Sequence, residues 1–135
     1  MITVVTGPPC GGKSTYVSEH ARSGDIIVDM DRIALALTTD DVGHHDYSPQ
    51  VRQVARAVRG AAVLEAIKMS QLSMVNVWII HTDPRPDSRR QYAVASARYV
   101  EVDPGRDVCL SRLESRPKAN HALVKKVLHD YYERR

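Results

Sequence analysis

The chain has 135 residues, 43% of them hydrophobic and 26% charged, which is the length and balance of one globular domain able to bury its own core. Its two cysteines, Cys10 and Cys109, exclude a disulfide-dense scaffold and fit no CxxC metal site, and the absence of any run of about 18 apolar residues excludes a membrane-spanning helix. The net charge of +3 is uneven: residues 1–70 carry 7 Lys/Arg against 8 Asp/Glu, and residues 71–135 carry 12 against 8. The basic half suits an anionic ligand such as a nucleotide or nucleic acid, with a solvated basic surface as the plain alternative. The first apolar run meets a glycine loop too soon for a secretory leader, so the expected compartment is the reducing cytoplasm.

In chain order, Ile2–Thr6 reads as a first strand, short and rich in β-branched residues. A helix follows from Lys13 to about Arg22, then a strand over Asp25–Asp29. Pro49 to Met69 carries Val51, Val54, Val58, Ala61, Ala62 and Glu65 near helical spacing. Val75–Ile80 reads as a third strand, and Asp87 or Ser88 can cap a helix running to about Ala97. Arg98–Val102 is the fourth strand, Asp107 to about Ser115 a further helix, and Leu123, Val124, Val127, Leu128, Tyr131 and Tyr132 form one apolar stripe on the last helix. Alternating strands and helices predict an α/β fold with a mainly parallel sheet covered on both faces, whose ligand site lies beyond the carboxyl ends of the strands.

That edge holds the strongest signal. Gly7-Pro8-Pro9-Cys10-Gly11-Gly12-Lys13-Ser14 matches G-x-x-x-x-G-K-[ST] in full, between a strand and a helix. Glycines let backbone N–H groups close around phosphates, and the helix start adds its positive dipole end. Lys13 is placed to reach the β- and γ-phosphates and Ser14 to ligate Mg²⁺, with Thr15 at the α-phosphate end. Cys10 reads as a loop residue rather than a nucleophile. Guanine-reading Asn-Lys-x-Asp motifs are absent, and the chain has little room for the arms of a motor. A small phosphotransferase is what remains.

After the second strand comes Asp29-Met30-Asp31-Arg32, two carboxylates and a guanidinium beside the loop. A kinase needs a base near its acceptor hydroxyl and charge to hold an anionic acceptor. An N-cap at Asp29 or Asp31 is the competing structural reading.

With the phosphate loop, this Asp-x-Asp and the basic C-terminal segment, the chain resembles the polynucleotide 5′-kinase group of P-loop kinases, nearest to phage enzymes and similar in pattern to adenylylsulfate kinases and zeta-toxin-like kinases. The resemblance implies a three-layer P-loop kinase domain over residues 1–135, four parallel strands in the order 2-3-1-4, and a lid at about 112–121. It implies ATP as donor, Mg²⁺ as cofactor, Asp31 as the base with Asp29 as second choice, and Arg116 and then Arg112 as the lid arginine. These families place an arginine three residues after the base. Ala34 stands there, and Arg32 is the nearest arginine, expected to position the acceptor.

Weaker signals lie around this core. The segment 40–49 contains Asp40, Asp41, His44, His45 and Asp46; its spacing matches no zinc pattern, and a loop bordering the acceptor pocket is preferred, with Tyr47 set to stack on a base. Arg52, Arg56 and Arg59 form a basic stripe, read as a solvated face in preference to a backbone guide. His81 occupies the place of the usual Walker B carboxylate; Asp83 reads as a loop residue contacting substrate or metal, with Arg85, Arg89 and Arg90 adding charge, and Trp78 as core. The leading acceptor is a nucleic-acid 5′-hydroxyl or a modified-base hydroxyl. A nucleoside, nucleotide or metabolite is the second reading, and a nucleotide-binding regulatory ATPase without acceptor the third.

Overall fold

Strand β1 (Ile2–Thr6) is buried at every residue, as is β3 (Val77–Ile80) beside it. A strand buried on both faces is mostly apolar, and in these two runs Thr3 and Thr6 of β1 are the polar exceptions. In the computed structural model, which describes residues 1–43, 45–116 and 121–135, they form the centre of a four-stranded parallel sheet ordered β2-β3-β1-β4. This is the expected order. β2 (Ile26–Val28) and β4 (Arg98–Glu101) are the edges, and β4 carries the charged residues Arg98 and Glu101. Val4 pairs with Ile79 on one side and Tyr99 on the other, and Ile27 with Trp78.

Alternation along the strands builds two cores. Ile2, Val4, Val77 and Ile79 face α3 (Pro49–Leu72) and α4 (Pro86–Val94), where Val63, Ala66 and Tyr92 complete the packing. Val5, Trp78 and Ile80 face α1 (Lys13–His20) and its Val17. Each such fully buried aliphatic side chain contributes roughly 1.5–3 kcal/mol. The Trp78 indole N–H donates to Asp25 Oδ2 at 3.0 Å, so the ring is core with one polar tether. Helix α5 (Arg106–Glu114) packs on α6 (His121–Glu133) through Cys109, Leu113 and Leu128.

Helices α2 (Met30–Ala36) and α4 differ from the sequence expectation. The short helix α2 follows β2 at once, because Asp29 caps it: its Oδ1 accepts from the Asp31 amide at 3.2 Å. Helix α4 begins at Pro86 without a side-chain cap, one or two residues before the expected Asp87 or Ser88, since proline at the first turn supplies a fitted φ and needs no donor partner. It stops at Val94, short of Ala97, and Ser96 has φ 56°. Helix α3 starts where expected; Pro49 leads it and Ser48 Oγ accepts from the Val51 amide at 3.2 Å. None of the described helices is long and apolar enough to cross a membrane.

The sheet also fixes the first loop. Thr6 O accepts from the Val102 amide at 2.8 Å, which brings the Val102 carbonyl under Gly7 and Gly11. A β-carbon at Gly7 would stand 2.1 Å from that oxygen, and Gly7 has φ +152°. Gly7→Ala should therefore displace the loop from β4, costing about 1–3 kcal/mol as overpacking does and weakening nucleotide binding. A thermal melt with an ATP titration checks this; parental melting temperature and affinity would contradict it.

Candidate active site

The loop Gly7–Ser14 joins β1 to α1 over the carboxyl edge of the sheet. Gly12 is the N-cap of α1 in the left-handed region, φ +95°, and brings no capping side chain. The first amides of the helix therefore face the loop rather than a cap, an arrangement that fits an anion. Cys10 also takes a positive φ, 62°, within a turn closed by the Gly11 amide donating to Pro8 O at 3.1 Å. Lys13 folds back over the loop, its ammonium donating to Gly7 O at 2.8 Å and Pro8 O at 2.7 Å. Burial lowers its pKa to about 8, against the opposing pull of the Asp31 and Asp29 carboxylates. Ser14 and Thr15 are exposed in the first turn of α1. Arg112, on α5, donates from Nη1 to Cys10 O at 3.0 Å, and the same atom lies 3.5 Å from where a Gly12 β-carbon would be.

Across the loop stand the two aspartates. Asp29 is 6% exposed and serves as the α2 cap, so the competing structural reading describes its side chain. Asp31, in the first turn of α2, is half-buried and accepts from the Tyr47 hydroxyl on Oδ1; His45 Nδ1 lies 3.5 Å from the same oxygen. Tyr47 is thereby brought to the site, but its ring is 4% exposed and packs with Ala34 and Ala55. A base has no face to stack on there, which corrects that expectation. Ala34 itself is fully buried in the same cluster. The position that the resemblance assigns to an arginine is thus core between α2 and α3, where a guanidinium would have no room. Arg32 is exposed on α2.

Behind the loop, His81 continues β3, its amide donating to Val5 O at 2.9 Å. The imidazole is 7% exposed, and Nε2 lies 2.5 Å from the Tyr92 hydroxyl. Burial, reinforced by Arg59 and Arg89, drops its pKa to about 4, so a neutral ring stands where a Walker B carboxylate is usual. Asp83 pairs with Arg89 Nη2 at 2.9 Å and with Arg134 Nη1 at 3.6 Å, tying this loop to α4 and the C-terminal end. Its carboxylate is engaged in these two pairs.

Of the basic stripe, Arg52 and Arg59 are half-buried and Arg56 exposed. Arg52 turns inward: its guanidinium lies 5.4 Å over the Tyr47 ring and Nη2 donates to His45 O at 3.1 Å. Arg116 lies just past the Ser115 C-cap of α5, its carbonyl 3.1 Å from His121 Nε2. Between the two expected lid arginines, Arg112 is the one in contact with the loop. The remainder of the expected lid, Pro117–Asn120, and His44 lie outside the described residues. Sequence reasoning did not single out the His45 contact or the His81–Tyr92 pair; His45 carried no spacing signal, and the Tyr92 partnership needs α4 docked on the sheet.

The refusal of His81 to ionise gives a pH-dependent stability. Its folded pKa of about 4 lies below the ordinary 6.5. Above pH 6.5 neither state is protonated and nothing is lost. As the pH falls from 6.5 toward 4, the unfolded chain takes up a proton that the folded chain does not, and stability declines. His81→Gln should flatten the fall of melting temperature across that window; parallel slopes for variant and parent would contradict this.

The fold and loop geometry agree with the comparisons. A family model described as AAA domain matches residues 2–135. Among solved structures, a chain from "Structure of the Pnkp1/Rnl/Hen1 RNA repair complex" superposes with a TM-score of 0.65 at 16% identity, covering 98% of this chain and 44% of that one. The chain therefore spans less than half the length of that relative, and the likeness is one of fold. No curated protein matches the sequence. With its strand–loop–helix phosphate cradle and 2-3-1-4 sheet, the chain belongs to this AAA domain family, whose members are P-loop kinase-like.

Proposed function

We propose that the protein transfers the γ-phosphoryl group of ATP to a hydroxyl, with a nucleic-acid 5′-hydroxyl, or a hydroxyl on a modified base, as acceptor. The observation that carries this reading is the pairing of two unlike groups across one edge of the sheet. Lys13 lies over a phosphate-shaped loop, and the Asp31 carboxylate faces it near enough to raise its proton affinity.

The loop is suited to a polyphosphate because its backbone cannot retract: the Val102 carbonyl closes the space behind Gly7 and Gly11. Lys13 would exchange the Gly7 and Pro8 carbonyls for the β- and γ-phosphates. Ser14 would hold Mg²⁺, which when bound supplies positive charge against the triphosphate. Asp31 takes the proton of the acceptor hydroxyl as its oxygen attacks the γ-phosphorus in line, and the bond to the β,γ-bridging oxygen breaks to release ADP. Arg112 is the cation already at the loop, and Arg116 the second candidate to balance charge in the transferred group. Asp29, as cap, holds the start of α2 and so the place of Asp31.

A polymeric acceptor is supported by Arg32 and Arg56, exposed cations on α2 and α3. The RNA repair complex named for the similar fold is consistent with it. Phosphorylation of a small hydroxyl compound is the second reading; it needs the same residues without the arginine-lined approach. A regulatory ATPase is disfavoured by the neutral, buried His81 in the Walker B place. We place the domain in the cytoplasm.

The test is transfer from γ-labelled ATP and Mg²⁺ to a 5′-hydroxyl oligonucleotide, a nucleoside and a nucleotide in parallel. Label on the oligonucleotide, with a rate that falls steeply as salt rises, is the expected result. Label confined to a monomer would establish the second reading, and free phosphate formed at a rate indifferent to every acceptor would overturn the kinase reading.

A further inference from the structure

We propose that Tyr47 is a positioning residue for Asp31: from within the core its hydroxyl fixes the carboxylate that takes the acceptor proton, and His45 steadies the same oxygen. This rests on the reading of Asp31 as the base.

Asp31 stands in the first turn of a seven-residue helix, partly open to solvent. Such a carboxylate has several rotamers to choose from, and proton transfer in an in-line reaction needs one. The constraint comes from elsewhere in the chain, 16 residues on, where the Tyr47 hydroxyl donates to Asp31 Oδ1. The tyrosine cannot wander, because its ring is packed between α2 and α3 against Ala34 and Ala55. Nor can it lose its proton at any working pH: burial and the facing carboxylate push its ionisation well above the ordinary phenol range. It is a permanent donor on a rigid mount. His45 Nδ1 reaches the same oxygen at 3.5 Å.

The segment that carries both side chains is itself tied down. Arg52 donates to the His45 carbonyl at 3.1 Å and covers the Tyr47 ring at 5.4 Å, stapling the end of the loop to the first turn of α3. The sequence pattern assigned this loop to recognising the acceptor. Its buried tyrosine assigns it to holding the base. The replacement of an arginine by Ala34 belongs to the same design, since a small residue there is what admits the Tyr47 ring. Among the described residues, Lys13, Asp29, His45 and Arg52 also act on this pair.

The experiment uses the full chain, unmodified and as Tyr47→Phe, with γ-labelled ATP and the best acceptor from the panel. It reads kcat, KM, nucleotide Kd, melting temperature and the pH profile of kcat. Phenylalanine keeps the ring in the core and removes only the donor. The expected result is a kcat lower by about 10–100-fold, as when a group that orients a reacting ligand is removed, with nucleotide Kd within about twofold. The acid limb should move to higher pH, because the carboxylate loses a bond that favours its charged form. His45→Ala, on the exposed side, should lower kcat by less and leave the fold intact. A Tyr47→Phe protein with parental kcat and an unmoved limb overturns the proposal. So does a loss of kcat that tracks a lower melting temperature while the limb stays in place, which is a structural role only. If the unmodified protein transfers label to no acceptor, the base assignment fails and this proposal with it; if it transfers and the variant is unchanged, only this proposal fails.

Discussion

The site depends on the approach of one carbonyl to two glycines. Val102, at the end of the β4 strand pairing, presents its oxygen where any β-carbon at Gly7 would collide and where one at Gly11 would be 3.0 Å away. The close approach holds the loop against the sheet edge, where the Gly7 amide donates to Thr82 O and the Gly11 amide to Pro8 O. It also sets the helix start, because Gly12 must then turn through the left-handed region to enter α1. Lys13 follows directly and is delivered over the loop. The apolar strands matter to function through this chain of constraints: β1 and β4 must be in register for Val102 to sit beneath Gly7.

Charge is distributed around that loop in a way that uses burial on both sides. Lys13 is stripped of much of its water and holds its proton less firmly than a surface lysine. Asp29 is buried too, yet it is compensated by an amide and by the start of a helix. Asp31 keeps partial access to solvent and is held by Tyr47 and His45. The groups that bind are thus inside and rigid, while the carboxylate proposed to react stands at the border with the acceptor. His81 differs from both: a neutral ring bonded to Tyr92 stands behind the loop where a Walker B carboxylate is usual.

The phosphate loop was legible because its chemistry is done by backbone, and backbone demands specific residues at specific places: Gly7, Gly11 and Gly12 cannot be exchanged for others. The central strands were legible because burial on both faces leaves short β-branched runs without charge. Helix α2 was not, since Asp29 carries the cap inside what also reads as a catalytic pair, and no spacing distinguishes the two uses. The start of α4 hid in Pro86, which begins a helix without a side-chain cap. Tyr47 was read as an exposed stacking residue because its neighbours in sequence are polar. Its burial arises from the docking of α2 on α3, a contact between segments with no local trace. The same docking explains Ala34, whose meaning appears only when its neighbours in space are known. Arg112 and Arg116 lie one helical turn apart, and only the placement of α5 beside Cys10 tells which of them reaches the loop.

The measurement that tests the account most directly is a comparison of Asp31→Asn with the unmodified protein in acceptor-dependent phosphoryl transfer, alongside nucleotide binding by each. The amide keeps the shape of the side chain and removes its basicity. The account predicts transfer lowered by about 100-fold or more, with ATP bound at nearly parental affinity. Transfer at the parental rate would contradict the place of the carboxylate in the chemistry, and a loss of ATP binding equal to the loss of transfer would return Asp31 to the role of a structural neighbour of Lys13.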